Sequence, residues 1–181
     1  GVNDDGCVRP ETSLETMAGL KPAFDKDGVV TAATSSPLTD GAAAVIVCSE
    51  NYAKTNNLKI MAYIRGMAIS GCSPEIMGIG PVLSSQKALK RAGIDLKDID
   101  IIEMNEAFAA QSLACVKELG IDMSKLNIHG GAISMGHPLG ASGARITGKA
   151  ASLLQETGKK YALSTMCVGG GQGCATVLER A

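Results

Sequence analysis

Three turns in this chain carry residue types that move protons or stabilise developing negative charge. The first holds Asn105 at the junction between a predicted strand and a predicted helix. The second is a glycine-rich loop with His137 at its centre, and the third places Cys167 directly after a strand and before a run of glycines. Ligands of open α/β sheets bind at the carboxyl ends of strands, which is where the first turn lies.

Each turn also has a simpler structural explanation. Asparagine is a favoured N-cap, and Glu106 suits the positive end of the helix that follows. A buried cysteine at a strand end is most often inert packing. The surrounding backbone favours chemistry instead, because residues 130–143 contain five glycines and a proline, and the glycines after Cys167 expose N–H groups that can hold an oxyanion. Residue types alone therefore predict a nucleophilic pair of Cys167 and His137.

Composition excludes several other functions. The glycine runs lack the Lys-Ser/Thr of a phosphate-binding loop, and two histidines without paired thiols predict no metal site. A net charge of −1, scattered cations and 3% aromatics predict no nucleic-acid partner. No apolar run reaches the ~20 residues of a membrane span, so no membrane partner is expected. Six cysteines without a CxxC pair indicate free thiols in a reducing compartment, and hence a cytoplasmic protein.

The elements that must position these turns alternate along the chain. Strands are predicted at residues 29–33, 42–48, 60–69, 99–103, 161–166 and 174–178. Helices are predicted at 13–18, 50–56, 81–92, 107–119 and from the glycine-rich loop to about residue 156. This alternation predicts a layered α/β fold with helices on both faces of the sheet.

The three turns, in this order, resemble the signatures of the thiolase family. They stand here as Asn105–Phe108, Gly136–Pro138 and Cys167–Gly169. Weaker similarities at residues 20–24, 40–44 and 77–81 follow the family's order and extend the resemblance over nearly the whole chain. The resemblance implies a thiolase-like fold with a mixed β-sheet.

The resemblance also replaces the Cys–His pair with more specific roles. In thiolases a cysteine of the N-terminal half carries the acyl group. His137 is then expected to activate that cysteine and to help bind the thioester oxygen, while Asn105 holds a water at the same oxyanion site. Cys167 is expected to be the acid/base at the substrate α-carbon, and the backbone N–H of Gly169 to serve a second oxyanion site. Claisen condensation needs such a base and such donors, and a Cys167 thiol of lowered pKa beside a histidine is expected to suit the base role.

Coenzyme A is expected as a substrate, with no permanently bound cofactor. The resemblance places Arg9 near the adenine, Phe24, Ala32 and Ser36 along the pantetheine channel, and Met77 and Phe108 at the reacting end. Within the channel segment Pro37 replaces a flexible glycine that the family typically has, which leaves the acyl-chain preference open.

The resemblance implies that this chain is one part of a longer enzyme, because intact thiolases consist of two similar halves with an inserted loop domain. Residues 1–23 are expected to end the loop domain and residues 24–181 to form the C-terminal domain, with the N-terminal half absent. Without that half the chain lacks the nucleophilic cysteine and is expected to be inactive. Its partners are expected to be acyl-CoA, the N-terminal half and further copies, as a homodimer or homotetramer.

The predicted function is acyl transfer to coenzyme A in fatty acid metabolism. The reaction is either reversible Claisen condensation or thiolysis of acetoacetyl-CoA or longer 3-ketoacyl-CoA, and the sequence leaves the biosynthetic and degradative directions open. Two alternatives are a ketoacyl-synthase relative and a catalytically silent, thiolase-like module that binds acyl-CoA.

Overall fold

The computed structural model describes residues 3–181. Residues 1 and 2, which fall within the predicted loop-domain remnant 1–23, lie outside the described residues. The helices are α1 (Leu14–Ala18), α2 (Glu50–Thr55), α3 (Gly80–Ala92), α4 (Ala109–Leu119), α5 (Ala132–Met135) and α6 (Leu139–Thr157). The strands are β1 (Ala62–Gly71), β2 (Ile101–Met104), β3 (Tyr161–Val168) and β4 (Gln172–Arg180). Short 3-10 turns span Ala32–Thr34, Pro74–Ile79, Leu96–Asp98 and Met123–Lys125.

The four strands form one mixed sheet in the order β1-β4-β3-β2. β4 pairs antiparallel with β1 and with β3, whereas β2 and β3 are parallel. Parallel neighbours need a crossover connection, and the chain between β2 and β3 supplies it with α4, α5 and α6. The predicted mixed α/β architecture is therefore confirmed.

Helices cover both faces of this sheet, and each face has its own core. Neighbouring residues of β2 show the alternation, because Ile102 belongs to one buried cluster and Ile101 to the other. The first cluster also contains Ala88, Leu89, Cys115, Leu163 and Val177, and the second contains Ala150, Leu153, Leu154, Ala162 and Leu178. Helices α3 and α4 thus lie against one face and α6 against the other.

The start of α3 contacts the backbone of β4 directly. A Cβ atom at Gly80 would lie 2.2 Å from the carbonyl oxygen of Gln172, and one at Gly173 would lie 2.0 Å from that of Gly80. Only glycine permits such a close approach of two backbones. Because Gly173 pairs with Cys167 in the β3–β4 ladder, this contact also fixes the strand that carries the thiol.

Two predicted strands do not form. Residues 29–33 contain a 3-10 turn, and residues 42–48 have no regular structure. In the second stretch Val45, Ile46 and Val47 are 46%, 83% and 72% exposed. A strand is stabilised by backbone pairing with a neighbour, and among residues 3–181 no neighbouring strand pairs with either stretch.

Among the described residues, no helix combines the length and the hydropathy that crossing a membrane requires. The same residues contain no group of three or more His, Cys, Asp and Glu side chains placed to hold a metal ion.

Candidate active site

Asn105 follows the last residue of β2 and continues its pairing with β3. Its backbone N–H donates to the carbonyl of Thr165 at 3.0 Å, and its side chain is fully buried. The side-chain Nδ2 lies 3.3 Å from Nε2 of His137. The alternative role of helix cap is wrong, because the N-cap of α4 is Phe108, whose extended backbone delays the helix to Ala109.

His137 lies between Gly136 and Pro138 in the loop that joins α5 to α6. Gly136 has φ +97°, and a Cβ atom there would lie 2.4 Å from the side chain of Thr39, so only glycine fits. The His137 Nδ1 lies 2.6 Å from Oγ of Ser142, in the first turn of α6. The imidazole is therefore held at both nitrogens.

The partners of the imidazole indicate its protonation. With the Asn105 amide nitrogen facing the ring, Nε2 of His137 is the acceptor and Nδ1 carries the proton. The Nδ1–H then donates to Ser142 Oγ, whose own proton goes to the carbonyl of Pro138 at 3.1 Å. Burial lowers the pKa of His137, and the positive charge of Arg145 lowers it further. A neutral imidazole whose Nε2 carries no proton is the form that can accept one.

Cys167 lies near the end of β3 with 5% of its surface exposed. Burial, with smaller contributions from the nearby thiols of Cys115 and Cys72, raises the pKa of its thiol to about 11. The expectation of a lowered pKa is therefore wrong, because desolvation outweighs the one backbone hydrogen bond that stabilises the thiolate. At neutral pH this thiol keeps its proton and can donate it.

Gly169 begins the turn between β3 and β4. No described atom lies within 4 Å of the position that its Cβ would occupy, and the residue is exposed. The next two residues, Gly170 and Gly171, have φ +84° and +89°, which favours glycine. The turn therefore presents backbone rather than side chains to a ligand.

An open cavity of about 490 Å³ lies beside the imidazole. It is lined by Leu38, Thr39, Asp40, His137 and Leu139. Sequence patterns did not single out Thr39 or Ser142, although both contact the His137 loop. The spacing of Ser142, five residues after His137 at the start of a helix, is the signal that could have identified it.

Three of the residues expected to bind coenzyme A lie together beside the Asn105 turn. Ser36 donates to the carbonyl of Ala107 from its N–H at 3.0 Å and from its Oγ at 3.2 Å. The rings of Phe24 and Phe108 meet edge to face with centroids 6.4 Å apart. The segment 24–36 is thus attached to the turn that follows β2.

The other three have no such mutual contact in this structure. Ala32 is exposed in a 3-10 turn, and Met77 is half-buried in the turn Pro74–Ile79. Arg9 is exposed, and its guanidinium donates to the carbonyls of Gly6 and Val8. Their predicted roles stay predictions.

Comparison with known proteins agrees with the fold and the signatures. The family model of the thiolase C-terminal domain matches residues 58–180, and that of the thiolase N-terminal domain matches residues 1–51. Because the first match alone covers more than half of the chain, the chain belongs to the thiolase family.

Individual relatives agree with this membership. A 3-ketoacyl-CoA thiolase of Vibrio parahaemolyticus is 55% identical over 180 residues, which cover 97% of this chain and 46% of the relative. A crystal structure of human mitochondrial 3-ketoacyl-CoA thiolase is similar with a TM-score of 0.95 and 50% identity, over 98% of this chain and 45% of the human chain. A crystal structure of the human enzyme in complex with CoA is similar with a TM-score of 0.91 and 48% sequence identity. This match covers 99% of this chain and 46% of the human chain. The chain therefore spans a little under half the length of these relatives.

Proposed function

We propose that the protein containing this chain is a thiolase that transfers acyl groups to coenzyme A. The reaction is thiolysis of a 3-ketoacyl-CoA, or its reverse, Claisen condensation. The observation that carries the proposal is the chain of contacts from the buried Asn105 amide through a neutral His137 imidazole to Ser142. Membership of the thiolase family, with 3-ketoacyl-CoA thiolase relatives, supports the reaction class.

The roles of the side chains follow from their protonation. The unprotonated Nε2 of His137 exchanges its contact with the Asn105 amide for the thiol of a nucleophilic cysteine and takes the thiol proton, and that cysteine then attacks the 3-keto carbonyl. When the bond between the α-carbon and the β-carbonyl breaks, the Cys167 thiol gives its proton to the enolate of acetyl-CoA. Coenzyme A then gives its thiol proton to the Cys167 thiolate and attacks the acyl-cysteine. The acyl group leaves as acyl-CoA, and the released cysteine takes its proton back from His137. In the condensation direction the Cys167 thiolate removes a proton from the α-carbon of acetyl-CoA. Asn105 and the backbone N–H of Gly169 stabilise the two oxyanions.

The nucleophilic cysteine belongs to the N-terminal half in this proposal. The chain of 181 residues would then be inactive by itself, with residues 24–181 as the C-terminal domain and residues 1–23 as the end of the loop domain. Coenzyme A would follow the attached segment, with Phe24, Ala32 and Ser36 along the pantetheine, Met77 and Phe108 at its reacting end, and Arg9 at the adenine. The human relative crystallised in complex with CoA supports coenzyme A as a ligand of the complete protein.

Assembly and location belong to the same proposal. The exposed apolar stretch Val45–Val47 supports association with the N-terminal half, and homodimers or homotetramers are expected for the complete protein. Six free cysteines support a reducing, cytoplasmic environment. The 3-ketoacyl-CoA thiolase relatives support a role in fatty acid metabolism. Light scattering of the complete protein measures the oligomeric state, and cell fractionation measures the location.

The direct test is thiolysis of acetoacetyl-CoA by the full-length gene product, followed as loss of substrate when coenzyme A is added. Replacing His137 or Cys167 by Ala is expected to reduce kcat to about one thousandth, because each change removes a proton-transfer group. Cys174→Ala is the matched control, since Cys174 lies on β4 outside the turn.

The outcomes separate the proposal from its alternatives. No turnover of acetoacetyl-CoA or of longer 3-ketoacyl-CoA, with coenzyme A still bound, would indicate a silent binding module. Turnover that requires loss of carbon dioxide from a malonyl donor would instead indicate a ketoacyl-synthase relative.

A further inference from the structure

The carboxylate of Glu106 joins two segments that are distant in sequence. Its Oε1 accepts a hydrogen bond from Nδ2 of Asn127 at 2.6 Å, and its Oε2 accepts one from the backbone N–H of Ile133 at 3.1 Å. Ile133 lies in the first turn of α5. The carboxylate therefore caps α5, which precedes the His137 loop, rather than α4, the next helix along the chain from Glu106.

Asn127 attaches this carboxylate to the end of β2. Its Oδ1 accepts from the backbone N–H of Met104 and its Nδ2 donates to the carbonyl of Met104, both at 2.9 Å. Its own N–H donates to the carbonyl of Ile102 at 2.8 Å. The side chain thus imitates a neighbouring peptide at the strand end, with its backbone held at φ +44°, a conformation that asparagine tolerates.

The backbone of the loop before α5 lies against the partly buried Glu106 side chain. A Cβ atom at Gly131 would lie 2.3 Å from the Glu106 carboxyl carbon, so the loop backbone lies directly against this side chain. Three residues separate Ile133 from His137, and Glu106 immediately follows Asn105. One carboxylate therefore holds both segments whose side chains meet at the 3.3 Å contact between Asn105 and His137.

We propose that Glu106 is a positioning residue that, through Asn127 and the first turn of α5, sets the distance between the Asn105 amide and the His137 imidazole. This inference rests on the proposed function, because it assigns Glu106 to the same reaction. Glu106 touches no reacting atom in this role, and its effect on catalysis passes through the two side chains that it places.

Glu106→Gln tests this role with little change of shape. The Gln side chain can accept only one of the two hydrogen bonds, and its amide nitrogen then faces a second donor. In the full-length protein we expect kcat for acetoacetyl-CoA thiolysis to fall about tenfold or more, with KM for coenzyme A within about threefold, because misplacement affects the transition state rather than binding. Glu118→Gln, an exposed site on α4, is the matched control and is expected to leave both constants unchanged.

A double-mutant cycle tests the route through Asn127. Asn127→Gly removes the amide while keeping a residue that accepts positive φ. If both side chains act through one contact, adding Glu106→Gln to the Asn127→Gly variant lowers its kcat little further. If the fold loss of kcat in the double variant equals the product of the two single losses, Glu106 does not act through Asn127.

Further outcomes are decisive in either direction. An unchanged kcat, a change in KM alone, or a kcat loss matched by an equal loss of folded protein in circular dichroism would each overturn the positioning role. If the unsubstituted protein turns nothing over, the proposed function fails separately. The position of the His137 imidazole relative to Asn105 is then measured by the ¹⁵N signals of the ring. Glu106→Gln shifts these signals if Glu106 sets the contact with Asn105, and unchanged signals would overturn the positioning role.

Discussion

The content of regular secondary structure and the burial of apolar side chains differ strongly between residues 3–57 and residues 58–181. The first part, the leading segment, contains two short helices and a 3-10 turn, whereas the second, the sheet region, holds all four strands. In the leading segment Phe24 and Ile46 are 81% and 83% exposed, while Leu153 and Leu163 in the sheet region are fully buried. Apolar side chains are present in both parts, but among the described residues every buried one except Ala53 lies in the sheet region.

The difference shows what an apolar stretch needs in order to become a strand. β4 lies between β1 and β3, so both of its edges are paired. The stretch 42–48 is similarly rich in small and branched apolar residues, yet no strand among the described residues pairs with it. Backbone pairing and coverage of a face, rather than composition, therefore decide the outcome.

The largest expected effect compares the same substitution in both parts. Leu163→Ala removes a fully buried side chain from the core between the sheet and α3, and we expect it to lower the free energy of unfolding by about 3 kcal/mol. Leu38→Ala removes a side chain that is 96% exposed, and we expect a change within about 0.5 kcal/mol. Urea unfolding of the chain, followed by circular dichroism, measures both. Equal losses would show that the leading segment packs as tightly as the sheet region.

Prediction from sequence succeeds where an element and its partner lie in the same chain. All four strands and helices α1, α2, α3, α4 and α6 were predicted, and in the sheet region their apolar spacing matches faces that this chain itself covers. The order of the strands and the crossover that makes β2 and β3 parallel do not follow from spacing and need the three-dimensional structure.

The candidate site was predictable as residue types but not as an electrostatic environment. The sequence identified Asn105, His137 and Cys167, and the first two are in contact. The rise in the pKa of Cys167 was missed because it depends on burial, and burial depends on how β3 packs. Likewise, the contact with Ser142 depends on how α6 begins.

A second, smaller effect concerns a buried carboxyl in the sheet region. Burial raises the pKa of Glu103 from 4.5 to about 7, and although the nearby charges of Arg145 and Lys149 oppose this rise, they do not cancel it. Between pH 4.5 and 7 the folded chain keeps this proton and the unfolded chain loses it, so stability falls as the pH rises through that window. A Gln side chain at this position is uncharged at every pH. We therefore expect the change that Glu103→Gln makes in the free energy of unfolding to be about 2 kcal/mol more stabilising at pH 8 than at pH 4.5.

Glu11→Gln in the leading segment is the control for this pH dependence. Glu11 is exposed, so its substitution is expected to leave the pH profile of unfolding unchanged. Urea unfolding at pH 4.5, 6 and 8 gives both profiles. A Glu103→Gln profile parallel to that of the unsubstituted chain would mean that the Glu103 carboxyl ionises as freely in the fold as in the unfolded chain.

The smallest expected effect asks whether the two parts also divide the reaction between them. Phe24 in the leading segment meets Phe108 beside the Asn105 turn, and an edge-to-face pair contributes about 1 kcal/mol. Phe24→Ala in the full-length protein is therefore expected to raise KM for coenzyme A about fivefold with kcat unchanged, since the groups that we propose to move protons in this chain lie in the sheet region. Val29→Ala, which shortens another exposed apolar side chain of the same segment, is expected to change neither constant. A fall in kcat for Phe24→Ala would mean that the leading segment helps to shape the reacting end of the site. Substrate binding and proton transfer would then not be divided between the leading segment and the sheet region.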